Sequence, residues 1–203
     1  MTSNNTNSAE SRRRHRKIAA ILAGGLVLGV GTMTTLASWN DSEYVTANFS
    51  SGVFKLQGST DGESFSDHAS AASPASLTFT APFDILAPGD TVYAPYAVRL
   101  TADTTNAATV TITNPVTTGD VSHLTYTLLQ TDSFGCTADT TGTELVSDAP
   151  VGTADGAQTF DLTKGHDGEA GAAANLCIKV TAGADLVQDQ GGSSTWRFQA
   201  VSH

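Results

Sequence analysis

Few residues in this chain are of the kinds that carry chemistry, and their spacing is loose. His166-Asp167-x-Glu169 sets an imidazole and two carboxylates within four positions, which could begin a metal site. Glycines and alanines surround it and no further ligand stands nearby, so a solvated loop is the simpler reading. Asp61-Gly62-Glu63 with Asp67 and His68 offers oxygens to calcium, which takes about six to eight. That set is incomplete as well. The chain contains no His-Glu-x-x-His, no Gly-x-Ser-x-Gly elbow and no phosphate-cradling glycine loop. His123, at the start of a strand-like run, reads as an ordinary polar residue. No catalytic residue, metal or cofactor is predicted.

The elements that would have to position a site are short strands. Charged residues make up 15% of the chain and aromatics 7%, while Thr, Ala, Ser and Gly abound, a balance that favours strands of small residues. Phe54 and Leu56 alternate with Val53, Lys55 and Gln57 and predict a first strand. Residues 58–74 read as a polar loop, and Leu77-Thr78-Phe79 as a short strand. The Pro88-Gly89-Asp90 turn feeds residues 91–102, where Val92, Ala94, Tyr96, Val98 and Leu100 share a face. Pro95 in that run lacks a ladder donor and predicts an edge position or a bulge. Thr109 to Thr113 alternates cleanly up to Asn114-Pro115, and Leu124 to Leu128 is the next strand. Residues 131–158 are polar and without period. Phe160-Asp161-Leu162 is a short strand, and Ala172-Ala173-Ala174 is helix-prone. Leu176, Ile178 and Val180 share a face, and Trp196, Phe198 and Ala200 close the chain. Eight or nine short strands separated by turns predict an all-β fold, a two-sheet antiparallel sandwich.

The amino-terminal stretch has a different character. Residues 1–11 are polar and read as disordered. Residues 12–17, Arg-Arg-Arg-His-Arg-Lys, are basic, and residues 18–37 contain no charge. Basic, apolar and small-residue regions in that order make a secretory signal peptide, with the hydrophobic segment as its helix. Cleavage is expected between Ala37 and Ser38, leaving residues 38–203 as the exported domain. The alternative is an uncleaved anchor, since the uncharged run is 20 residues, long enough to span a bilayer. The expected partners are signal peptidase and the secretion machinery, with membrane contact only through the leader.

Removing the leader leaves five cations, Lys55, Arg99, Lys164, Lys179 and Arg197, against 19 acids, a net charge of −14. Such a surface repels phosphate backbones and argues against nucleic-acid binding. Cys136 and Cys177 both lie downstream of the export signal, and an even count in an exported chain suggests a disulfide. Two buried free thiols are the alternative.

Beyond the apolar run come Trp39, Asp41 and Glu43, then Phe49-Ser50-Ser51-Gly52-Val53-Phe54-Lys55-Leu56. A glycine-rich apolar leader, a Trp-x-Asp-x-Glu junction and a Phe-x-x-Gly-x-Phe-x-Leu block together resemble the exported proteins with SipW-type signal peptides. These are the TasA and camelysin group, and the resemblance is closest to the actinobacterial alternate signal-mediated exported proteins. Phe83-Asp84-Ile85-Leu86-Ala87-Pro88-Gly89-Asp90 and the ending Trp196-Arg197-Phe198-Gln199-Ala200 also fit that pattern.

The resemblance implies a jelly-roll form of the sandwich and a place on the cell surface or in a biofilm matrix. It further implies that the freed amino-terminal segment pairs with a neighbouring subunit's sheet to build fibres. Trp39, Asp41, Glu43, Val45, Ala47 and Phe49 are the candidate assembly residues, with Val45, Ala47 and Phe49 on one side of an extended segment. Strand addition of this kind satisfies an exposed edge. Packing of the segment on its own domain is the alternative. Some camelysin relatives are described as metalloproteases, but the missing His-Glu-x-x-His speaks against that activity here. An adhesin or carbohydrate-binding module is a third reading, which fold alone does not decide.

Overall fold

The computed structural model describes residues 12–20, 43, 45–48, 51–154 and 157–203. The chain divides into two compact units, Met1–Phe49 and Ser50–His203. In the first, residues 12–20 are helical and exposed, and Glu43 and residues 45–48 are exposed without secondary structure. Most of the hydrophobic leader, the expected cleavage point Ala37/Ser38, and Trp39, Asp41 and Phe49 lie outside the described residues.

The second unit is built from eight strands in two antiparallel sheets. They are β1 (Leu56–Ser59), β2 (Thr91–Leu100), β3 (Ala108–Gly119) and β4 (Leu124–Thr131), then β5 (Thr143–Pro150), β6 (Phe160–Leu162), β7 (Ala174–Ala182) and β8 (Gly192–Ser202). One sheet runs β1-β2-β7-β4-β5 and the other β6-β3-β8. Inward residues of both sheets merge into one apolar cluster, including Val98, Leu100, Val110, Ile112, Leu128, Leu176 and Ile178. The arrangement is therefore sandwich-like, with the shared core between the two inner faces.

Pro95 explains itself in this topology. β1 pairs with β2 only from Ala97 to Leu100, so residues 91–96 run past the end of β1. On that side Tyr93 O accepts from Thr80 N and Tyr93 N donates to Thr80 Oγ1, so the Pro95 nitrogen, two residues on, also points away from β7. β2 is interior by order but an edge at Pro95, where no ladder donor is missed.

Several sequence expectations need correction. Residues 131–158 contain β5, whose buried positions do not alternate because the β4–β5 register shifts twice. β3 does not stop at Asn114-Pro115 but continues to Gly119, with a register shift between Thr113 and Val116 that accommodates the proline. Residues 172–173 are not helical, and Ala174 opens β7. The first strand begins at Leu56, not Phe54, and Val53 makes only an isolated parallel bridge with Thr104. Leu77-Thr78-Phe79 is not a strand, although its side chains keep a strand's alternation.

Candidate functional site: a cleft beside the last strand

The residues with chemical potential do not converge. His166, Asp167 and Glu169 are exposed in a tight turn, with Asp167 and Gly168 at positive φ and Glu169 N donating to His166 O (2.9 Å). Asp61 is occupied by its own loop: Oδ1 accepts from Glu63 N (2.9 Å), Ser64 N (2.7 Å) and Ser59 Oγ (2.8 Å). Those backbone and hydroxyl donors hold the Asp61 carboxyl well below the usual carboxylate range. His68 Nε2 lies 3.3 Å from Ser66 Oγ, and Asp67 is exposed. Among the described residues no group of three His, Cys, Asp or Glu stands together as a metal site.

Cys136 and Cys177 form a disulfide, with Cα atoms 4.9 Å apart. Cys177 lies on the outer side of the larger sheet, so the bond pins the β4–β5 loop against that face. Leu129 and Tyr93 pack around the bond in a small second cluster. Lys179 Nζ donates to Thr140 O (2.8 Å) and Ala138 O (3.4 Å), holding the same loop from below. A buried disulfide is characteristic of chains that meet oxidising conditions. Among the described residues, no helix is long and apolar enough to cross a membrane.

A concave feature of the β unit lies between the sheets. It is a cleft of about 1070 Å³ bordered by residues 192–200 of β8 along one side and residues 54–58 along the other. Val92, Tyr96, Val98, Ile178 and Val180 from β2 and β7 line it, together with residues of the β1–β2 connection that include Leu77, Phe79 and Leu86. β8 is the terminal strand of its sheet, paired with β3 on one side, so its edge over residues 196–200 borders the cleft.

Two aromatic contacts hold the sheets together next to this opening. Tyr96 of β2 meets Phe198 of β8 at 5.5 Å, and Tyr126 of β4 meets Trp196 of β8 edge-on at 5.5 Å. Tyr126 also donates to Thr153 O (2.9 Å). Burial pushes both tyrosine hydroxyls above the ordinary phenol range, so both remain neutral. Gly58 on β1 is required by this packing, because a Cβ there would overlap the Tyr96 hydroxyl.

Of the residues expected to act in assembly, Glu43, Val45 and Ala47 are described, and all three are exposed; Val45 is 87% exposed. The cleft was not expected from the sequence, because strand order creates it. The one local signal was the alternation of Ala75, Leu77 and Phe79 within a long connection.

No protein-family model matches the chain, and no curated protein matches it.

Proposed function

We propose that the chain is an exported, non-enzymatic protein of the cell surface or extracellular matrix that self-associates by strand addition. In this reading the SipW-type leader is removed, and the freed segment from Glu43 to Phe49 joins the sheet of a second copy at β8. The observation that carries the reading is the cleft along the terminal strand β8, into which Val92, Tyr96, Val98, Ile178 and Val180 bring apolar side chains. A strand edge demands backbone partners and an apolar floor demands alternate apolar side chains. A segment with Val45, Ala47 and Phe49 on one side supplies both.

Strand order supports a jelly roll with one strand displaced. An eight-stranded jelly roll orders its sheets second-seventh-fourth-fifth and first-eighth-third-sixth. This chain has β2-β7-β4-β5 and β6-β3-β8, and β1 pairs with β2. The position beside β8, where a jelly roll keeps its first strand, is where the cleft runs. A seven-residue strand is roughly 23 Å long at about 3.3 Å per residue, comparable with the stretch of β8 that borders the cleft.

N-terminal sequencing of the exported form together with its mass in solution tests the proposal. A start at Ser38 and a species larger than one chain are expected. An intact Met1 in the membrane fraction would sink the cleavage step, and a strictly monomeric form across salt, pH and calcium would sink self-association.

A further inference from the structure

We propose that residues 74–80 are a placeholder: they fill part of the gap between the sheets in the free protein and must leave it when a strand is added at β8. This rests on the strand-addition reading and adds the control of that same site.

Ala75, Leu77 and Phe79 are half-buried and pack against the main core, while Ser76, Thr78 and Thr80 between them are exposed. That is the side-chain period of a strand. The backbone does not match it. Among the described residues, Pro74 to Phe79 make no backbone–backbone hydrogen bond; the nearest are Ser73 N to Ser70 O (3.0 Å) and Thr80 N to Tyr93 O (2.9 Å). Backbone pairing provides most of the hydrogen bonds of a folded domain. A core-facing stretch of six residues without it is held by its side chains alone, and such stretches open at low free energy.

The placeholder also has the pattern of the segment proposed to replace it. Ala75-Ser76-Leu77-Thr78-Phe79 and Val45-Thr46-Ala47-Asn48-Phe49 both read apolar, polar, apolar, polar, Phe. The incoming segment would offer the cleft equivalent side chains and, in addition, a ladder to β8. Residues 60–90 connect β1 to β2 and lie outside every strand, and turns at Ser70–Ser73 and Pro82–Ile85 flank the placeholder, so it can swing out without breaking a sheet. Assembly is then slow until the placeholder is displaced, which keeps the chain monomeric during export.

The test uses the full chain and a labelled synthetic peptide of residues 43–51, with binding followed by anisotropy and by amide exchange. Leu77→Ala/Phe79→Ala weakens the placeholder and should raise the association rate about tenfold. Ala75→Leu strengthens it, with cleft space to grow into, and should lower the rate by a similar factor. In the wild type the peptide should protect residues 196–202 and deprotect residues 74–80 together. Equal rates in all three proteins, with 196–202 protected and 74–80 unchanged, would overturn the placeholder and leave strand addition standing. No binding to any of them overturns both. Should the double variant fail to fold, the Ala75→Leu rate and the wild-type exchange pattern decide alone.

Discussion

Tyr96 and Phe198 sit across the two sheets from each other, ring centroids 5.5 Å apart and planes inclined by 30°. Tyr96 belongs to the sheet that contains β1, Phe198 to the strand that ends the other sheet, and the cleft opens between them. The pair is thus both a tie across the sandwich and part of the lining of the candidate site. Phe198→Ala should lower stability by about 2–4 kcal/mol, toward the low end because Phe198 is only half-buried. Urea unfolding measures it. Tyr96→Ala with Phe198→Ala should cost less than the two singles added together, since the rings contact.

The close approach of Gly58 to the Tyr96 hydroxyl leads to a rescue experiment. Gly58→Ala should destabilise by about 1–3 kcal/mol, as overpacking does. Gly58→Ala/Tyr96→Phe, which removes the hydroxyl, should recover part of that loss. Equal midpoints for the single and double variants would contradict the clash.

The disulfide closes 41 residues of sequence and pins a loop to the outer sheet face. Cys136→Ala/Cys177→Ala should lose about 4 kcal/mol by the chain-entropy treatment. The loop between β4 and β5 should then become sensitive to protease while the sheets keep their far-ultraviolet signal. An uncut loop in the variant would mean that Lys179 and Tyr93 hold it without the bond.

Acid should weaken the domain through its loop carboxylates. Donors from Glu63, Ser64 and Ser59 lower the Asp61 pKa, the Thr101 hydroxyl lowers that of Asp103, and Ser122 lowers that of Asp120. A carboxylate whose pKa is depressed on folding adds stability above its unfolded value, about 3.9 for Asp, and loses it as pH falls toward the folded value. Asp61→Ala should therefore lower the urea midpoint at neutral pH. The difference from wild type should shrink below about pH 4. A gap that stays constant from pH 7 to pH 3 would contradict this assignment.

Strands with clean alternation were legible in the sequence. β2, β4, β6, β7 and β8 fall where Val92 to Leu100, Leu124 to Leu128, Phe160 to Leu162, Leu176 to Val180 and Trp196 to Ala200 repeat every second residue. Where pairing is irregular, the pattern fails. β5 is an outer strand with two register shifts, and its buried residues Leu145, Val146 and Ala149 follow no period. Leu77-Thr78-Phe79 fails in the opposite direction: its alternation reflects core packing, but among the described residues no partner strand is hydrogen-bonded to it. Apart from the alternation of Ala75, Leu77 and Phe79, the cleft left no mark in the sequence, because strand order creates it and no local residue pattern encodes strand order.

Electron microscopy of the exported protein beside an Ala47→Pro variant tests strand addition most directly. Proline in the middle of the donor segment removes a ladder hydrogen bond and disfavours a paired strand, and the change lies outside the β unit. Filaments are expected from the wild type and single particles from the variant under the same salt, pH and calcium. Filaments from both proteins, or from neither, would contradict it.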